Sequence, residues 1–305
     1  MRVLITGAAG FIGSQVARKV LQEGHTVIAA LRPGESAERL TDCLDAGAQI
    51  RCDLGDTEAV RRLIAHTQPE IALHLAWYVE PGKFWEAGEN LDCVRISLNL
   101  VRALAEAGCS RFVGAGTCAE YDWDFGLLTE DVTPLRPRSL YGISKNATRE
   151  LLQAFCAKAG MSFAWTRFFL LYGPGEARER LVPYVVLTLL EGGVAKCTQG
   201  EQARDFLHVE DAASAMWSVA KSDWSGAVNI GSGQAIKVRT LLLTVARLLG
   251  RESQLALGAL TSDAQEPPLL LADVQRLARV VGWKPALTLE EGLTRTCEWW
   301  RAKNP

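Results

Sequence analysis

The stretch Val3-Leu4-Ile5-Thr6-Gly7-Ala8-Ala9-Gly10-Phe11-Ile12-Gly13 decides the fold. An apolar run of strand length enters a turn that carries Gly7, Gly10 and Gly13, and a helical pattern over 11–23 leaves it. Glycine permits a tight turn and a close approach of another group to the backbone. The helix start offers free N–H groups and the positive end of a dipole, which together suit a phosphate. The spacing is G-x-x-G-x-x-G rather than G-x-G-x-x-G. Strand before and helix after make it a predicted dinucleotide site, with the diphosphate at the three glycines.

Outward from this turn, short apolar runs alternate with helical patterns. Strands are predicted at 2–6, 26–31, 71–75, 111–115 and 162–168, and helices near 11–23, 57–67, 88–107 and 139–160. Such alternation predicts an α/β fold, a doubly wound parallel sheet of the Rossmann kind with helices on both faces. The strands read as continuous apolar runs, as expected where both faces are covered. After about residue 170 the rhythm loosens. Helices are predicted near 180–191, 211–220, 237–249, 272–281 and 288–302, with short strands such as Ala227–Ile230 between them. The expected organisation is a dinucleotide-binding domain over 1–170 and a smaller mixed α/β substrate lobe over 171–305, with interleaving of the two left open.

Bulk properties narrow the function. The chain has 305 residues, 48% of them hydrophobic, enough for a sizeable core. Its formal charge is −2 and its 33 basic residues are dispersed, which argues against nucleic acid as a partner. No apolar run approaches the roughly 20 residues that span a bilayer, so no membrane partner is expected. The first residues lack the layout of a secretory signal, so a cytoplasmic location is expected. Eight cysteines are scattered without a C-x-x-C pair or a histidine cluster, so no metal site is expected.

The second strand bears on the cofactor. An acidic residue at its end would grip the ribose 2′-hydroxyl of NAD. The run Thr26–Leu31 is followed instead by Arg32, which can pair with a 2′-phosphate, so NADP is preferred and NAD is the alternative. Asp53 either accepts from the adenine amine or starts the helix that follows.

Tyr141-Gly142-Ile143-Ser144-Lys145 opens the fourth helical pattern. The i, i+4 spacing places Tyr141 and Lys145 on one face. A phenol ordinarily titrates near pH 10, and a nearby ammonium lowers that value. Tyr141 is therefore the expected proton carrier to a substrate oxygen, and Lys145 its partner. Thr117, just past the run at 111–115, lies where parallel sheets place their sites and can orient that oxygen. Glu120 is either catalytic or a plain loop carboxylate.

With these pieces in place, the chain resembles the extended short-chain dehydrogenases/reductases of the NAD-dependent epimerase/dehydratase family, across nearly its whole length. The motifs are TGAAGFIG (6–13), LHLA (73–76), TCAEY (117–121), YGISK (141–145), LYGPGE (171–176), RDFLHVEDAA (204–213), NIGSG (229–233), and GWKP followed by LEEGL (282–293). The resemblance implies Thr117, Tyr141 and Lys145 as a catalytic triad. It implies Phe11 and Ile12 beside Gly7, Gly10 and Gly13 at the diphosphate, Asp53 and Leu54 at the adenine, and Leu75 and Ala76 along the cofactor. It also implies Arg204 at a substrate diphosphate and a homodimer formed through the helices near 88–107 and 139–160.

Four positions depart from the pattern. Dehydratases of the family carry acidic residues directly after the threonine, where this chain has Cys118 and Ala119. Leu170 stands where nucleotide-sugar enzymes usually have asparagine, and Asp263 where they often have arginine. Either Arg178, Arg180 and Arg204 share the substrate anion, or the substrate is not a nucleotide-sugar. The leading expectation is an NADPH-dependent reductase of a nucleotide-linked keto-sugar. The alternatives are a nucleotide-sugar epimerase with retained NAD and, from another class, a non-catalytic dinucleotide-binding redox sensor.

Overall fold

Each apolar run of the first half alternates into two separate cores, and this is why it forms a strand. Along β1 (Arg2–Thr6), Val3 and Ile5 enter one core and Leu4 the other. Along β2 (Thr26–Leu31), Val27, Ala29 and Leu31 take the first core, Ile28 and Ala30 the second. A strand with two buried faces must be apolar throughout. The computed structural model describes residues 1–263 and 265–304. In it the chain continues through β3 (Gln49–Arg51), β4 (Ile71–His74), β5 (Arg111–Thr117), the two-residue β6 (Leu127–Leu128) and β7 (Ser162–Phe168). Four helices intervene: α1 (Phe11–Gln22), α2 (Thr57–Thr67), α3 (Glu89–Glu106) and α4 (Leu140–Ala159).

The second half supplies β8 (Leu170–Tyr172), β9 (Ala195–Cys197), β10 (Ala203–His208), β11 (Gly226–Ile230), β12 (Ala235–Lys237), β13 (Leu255–Leu257) and β14 (Leu269–Ala272). Its helices are α5 (Leu181–Leu190), α6 (Val209–Lys221), α7 (Val238–Leu249) and α8 (Leu289–Lys303). Among the described residues no helix is long and apolar enough to cross a membrane.

The main sheet has the order β11-β7-β5-β4-β1-β2-β3 and is parallel throughout. Strand order reverses between β1 and β4, and ligands of such sheets bind in the crevice at that reversal. The α/β class and doubly wound sheet agree with the sequence reading. The chain also returns to this sheet late. β11 pairs with β7, and α6 packs Ala213, Met216 and Trp217 into the same core as Val16 and Val20 of α1. The smaller lobe is mixed: β10 lies antiparallel to β12 and parallel to β14 and β8. Its core gathers Val185, Leu189, Leu241, Val245, Leu293 and Trp300 from α5, α7 and α8.

The predicted helix near 272–281 is formed only over 275–281. Leu269–Ala272 is a strand, because its backbone pairs with β10 on one side and β6 on the other. The short helix widens into a π-type turn at Leu277–Val281 and is ended by Gly282 at φ 73°.

Candidate active site

The glycine turn has the geometry its spacing predicts. Gly7 sits at φ +70°, and a Cβ there would lie 2.8 Å from the Ala76 nitrogen. A Cβ on Gly13 would lie 2.1 Å from the Gly7 carbonyl, so the first turn of α1 packs directly on the bend. Gly10 caps α1 without a side-chain hydrogen bond, and the first turn holds no acidic residue. Phe11 and Ile12 therefore begin a helix whose N–H groups stay open to an anion, and the site fits a diphosphate. Leu75 and Ala76 run past the same bend, with the Leu75 N–H donating to the Thr6 carbonyl at 3.1 Å.

One helix and one strand end bring the three catalytic candidates together. Ser139 caps α4 by accepting from the Gly142 N–H at 3.2 Å. A Cβ at Gly142 would meet the Ala119 carbonyl at 2.3 Å. The absence of a side chain there lets α4 approach the turn after β5, where Thr117 accepts from the Ala119 N–H at 3.2 Å. Lys145 is buried, and its Nζ donates to the Ala115 carbonyl of β5 at 2.7 Å. Burial draws its ammonium down to about 7, with the Cys93 and Glu120 side chains opposing.

Tyr141 differs from the sequence expectation in the direction of its pKa shift. Burial pushes its phenol well above the ordinary value, while the Thr117 hydroxyl and Arg180 pull the other way. The Lys145 ammonium lies 5.9 Å from the phenol ring centroid and is directed at Ala115. Desolvation therefore sets the direction of the shift, with the Lys145 ammonium turned to β5 rather than to the phenol.

Glu120, open to two readings in the sequence, is buried with both oxygens bonded to other groups of the chain. One oxygen accepts from the Thr117 N–H and the Trp165 Nε1, both at 2.9 Å. The other accepts from the Arg167 Nε at 2.7 Å. Arg167 also donates to the Tyr121 hydroxyl at 2.9 Å, which donates in turn to Asn229 at 2.8 Å. Burial pushes the Cys118 thiol up to about 12, away from the nucleophilic thiolate form.

The peripheral candidates scatter. Arg180 reaches the site: its guanidinium lies 5.8 Å from the Phe84 ring. Arg178 instead stands over Trp300, 5.7 Å from its centroid. Arg204 is buried and paired with Glu266 at 2.7 Å, so a carboxylate of the chain holds the group that the resemblance gives to a substrate diphosphate. Arg32 is exposed just past β2. Asp53 accepts from the Gly55 N–H at 2.8 Å; α2 starts later and is capped by Asp56. Leu54 is buried beside it.

Sequence spacing gives no signal for two further features. An aromatic collar surrounds Tyr141: Phe84, Trp85 and Trp77 lie edge-on at 4.9, 5.8 and 6.4 Å between centroids. Arg39 donates to the Ala9 carbonyl at 3.3 Å and to the Gly175 carbonyl at 2.9 Å, joining the glycine turn to the LYGPGE loop. The collar draws Phe84 and Trp85 from a turn segment without periodicity; the Arg39 contact closes over 136 residues.

Known proteins place this geometry. Residues 3–231 match the family model described as "NAD dependent epimerase/dehydratase family". The chain is 30% identical to dTDP-glucose 4,6-dehydratase 1 of Escherichia coli (strain K12), over 98% of this chain and 92% of that one. It is 31% identical to MoeE5, solved in complex with UDP-glucose and NAD, with a TM-score of 0.84 and full coverage of both chains. UDP-glucose 4-epimerase of Thermus thermophilus, solved with NAD, is 26% identical with a TM-score of 0.82 over 99% of each chain. The chain thus belongs to the NAD-dependent epimerase/dehydratase family, of the extended short-chain dehydrogenase/reductase type.

Proposed function

We propose that the protein is an NADPH-dependent reductase of a nucleotide-linked keto-sugar. The observation that carries this reading is the placement of Tyr141: a buried phenol beside the Thr117 hydroxyl and one helical turn from Lys145. Reduction of a ketone needs an acid at the carbonyl oxygen, and the Tyr141 phenol is the group placed to supply it. Thr117 orients that oxygen, Tyr141 gives it the proton, and Lys145 holds the nicotinamide ribose. The dinucleotide, when bound, supplies the hydride to the carbonyl carbon. Phe11, Ile12 and the glycines hold its diphosphate, Leu75 and Ala76 flank it, and Asp53 and Leu54 meet its adenine.

Dehydration of the kind named for the Escherichia coli relative fits less well. Cys118 and Ala119 occupy the acidic positions, and both oxygens of Glu120 are committed to β5 and β7. Arg32 at the end of β2 supports NADPH, by pairing with the 2′-phosphate. Arg180 supports a substrate anion at the mouth of the site, whereas Arg178 and Arg204 join it only after leaving Trp300 and Glu266.

The second reading is an epimerase that retains NAD. The likeness to a UDP-glucose 4-epimerase solved with NAD favours it. One experiment separates the two. The purified protein is assayed for bound nucleotide, then mixed with NADPH and a panel of UDP- and dTDP-linked 4-keto-sugars while absorbance at 340 nm is followed. Stoichiometric NADPH loss supports the reductase. Tightly bound NAD, with sugar interconversion and no net redox change, supports the epimerase. A groove between α3 and α4 lined by Leu91, Leu98, Ile143 and Leu151 supports a homodimer, since Leu91, Ile143 and Leu151 are exposed.

A further inference from the structure

Lys145 is a buried ammonium without a carboxylate partner. Among the described residues no acidic group lies within ion-pair distance of it; Glu120, the nearest in effect, is spent on Arg167. An isolated buried cation ordinarily sheds its proton. β5 presents the Ala115 carbonyl at 2.7 Å, and α3 presents the Cys93 thiol. β4 presents His74, which burial holds neutral, at about 3. α4 itself presents the Tyr141 phenol, whose pKa burial raises. β7 presents the Trp165 ring at 6.0 Å. The segment after β4 presents Trp77, whose ring centroid lies 3.9 Å from Nζ.

That last contact is much the shortest of the ring contacts, and the ring is itself fixed. Trp77 Nε1 donates to Asn90 Oδ1 at 2.8 Å. Asn90 is fully buried, and its amide donates to the Phe84 and Ala87 carbonyls at 2.7 and 2.9 Å. With its N–H turned to Asn90, Trp77 offers Lys145 the negative face of the indole.

We propose that Trp77 is a positioning residue: its indole face, pinned by Asn90, holds the Lys145 ammonium against β5, beside Tyr141. The inference rests on the reading of Lys145 as the partner of Tyr141. A protonated Lys145 stabilises the phenolate left after proton donation, so Trp77 acts on the reaction through Lys145.

The test reads Lys145 directly, without substrate. Full-length protein is labelled with 13C at lysine Cε, and the Lys145 resonance is assigned by its loss in Lys145→Gln. Its titration midpoint is followed by NMR in the wild type, Trp77→Phe and Trp77→Leu. Leucine removes the π face and should increase the acid dissociation constant of Lys145 about tenfold, a downward shift of about one pH unit; phenylalanine, with a weaker face, should shift it less. A midpoint that stays put or rises in both variants overturns the proposal. If Trp77→Leu fails to fold, Trp77→Phe alone decides, by a downward shift or none. Failure of the functional reading shows separately: a shifted midpoint with full turnover in Lys145→Gln would leave the positioning contact standing and remove its catalytic meaning.

Discussion

Glu120 and Arg167 form an ion pair sealed inside the main sheet, Oε2 to Nε 2.7 Å apart, with side chains 0% and 1% exposed. It ties the turn after β5 to β7 and orients the backbone of Thr117. Breaking one partner of such a pair strands the other charge, at a cost of about 3–5 kcal/mol. Glu120→Gln should therefore lower the melting temperature sharply. Turnover per folded molecule should fall less than tenfold, since Glu120 touches no reacting atom. A loss of several hundredfold with stability intact would make Glu120 a catalytic acid.

Tyr141→Phe removes the proton carrier and leaves the ring in its collar. Turnover should fall by about 10²–10⁴-fold, the usual contribution of general acid–base catalysis. Thermal stability and dinucleotide affinity should stay close to wild type. A non-catalytic redox sensor would keep its function in this variant.

Gly13→Ala tests the phosphate-binding bend. The added methyl would sit 2.1 Å from the Gly7 carbonyl, a contact that forces α1 off the turn. Overpacking of this sort costs about 1–3 kcal/mol. Dinucleotide binding, followed by fluorescence, should be lost as the N–H groups of Phe11 and Ile12 move. Retained affinity would place the cofactor elsewhere.

His74 gives the protein a pH signature. Its ring nitrogens bond Thr6 Oγ1 at 2.7 Å and Ser97 Oγ at 2.8 Å. Burial, with Lys145 adding to it, lowers its pKa from 6.5 to about 3. The unfolded chain thus binds a proton between pH 6.5 and 3 that the folded chain refuses. The stability His74 brings is complete above pH 6.5 and drains away as pH falls towards 3. The advantage of wild type over His74→Asn, from urea melts, should shrink by about 1.4 kcal/mol per pH unit through this window. A difference independent of pH would mean that the histidine is protonated in the fold.

The α3–α4 groove predicts that Ile143→Asp, at a half-exposed position, converts a dimer into a monomer by light scattering, with the fold preserved. A wild-type monomer would remove the homodimer.

Much of the first half was legible because its physics is local. Each strand there alternates between two apolar cores, and the glycines, Tyr141 and Lys145 stand at spacings set by one turn or one helix. β10 escaped the sequence reading because it buries Arg204, Asp205 and His208, which look like surface residues in sequence. Asp205 belongs there because it accepts from the Ser232, Gly233 and Ala272 N–H groups. The role of Glu120 was undecidable for a similar reason, since its partner lies 47 residues away. The lowering of the Tyr141 pKa was expected from Lys145 alone, and burial, which a sequence does not display, overrode it.

The most direct test of the account is a crystal structure of the protein soaked with NADPH, or with NAD if that is the nucleotide it carries. The account predicts the diphosphate on the N–H groups of Phe11 and Ile12, the Tyr141 hydroxyl facing the nicotinamide, and the Lys145 Nζ at the ribose hydroxyls. A dinucleotide bound away from the Gly7–Gly13 bend, or a Tyr141 hydroxyl turned from the nicotinamide, would contradict it.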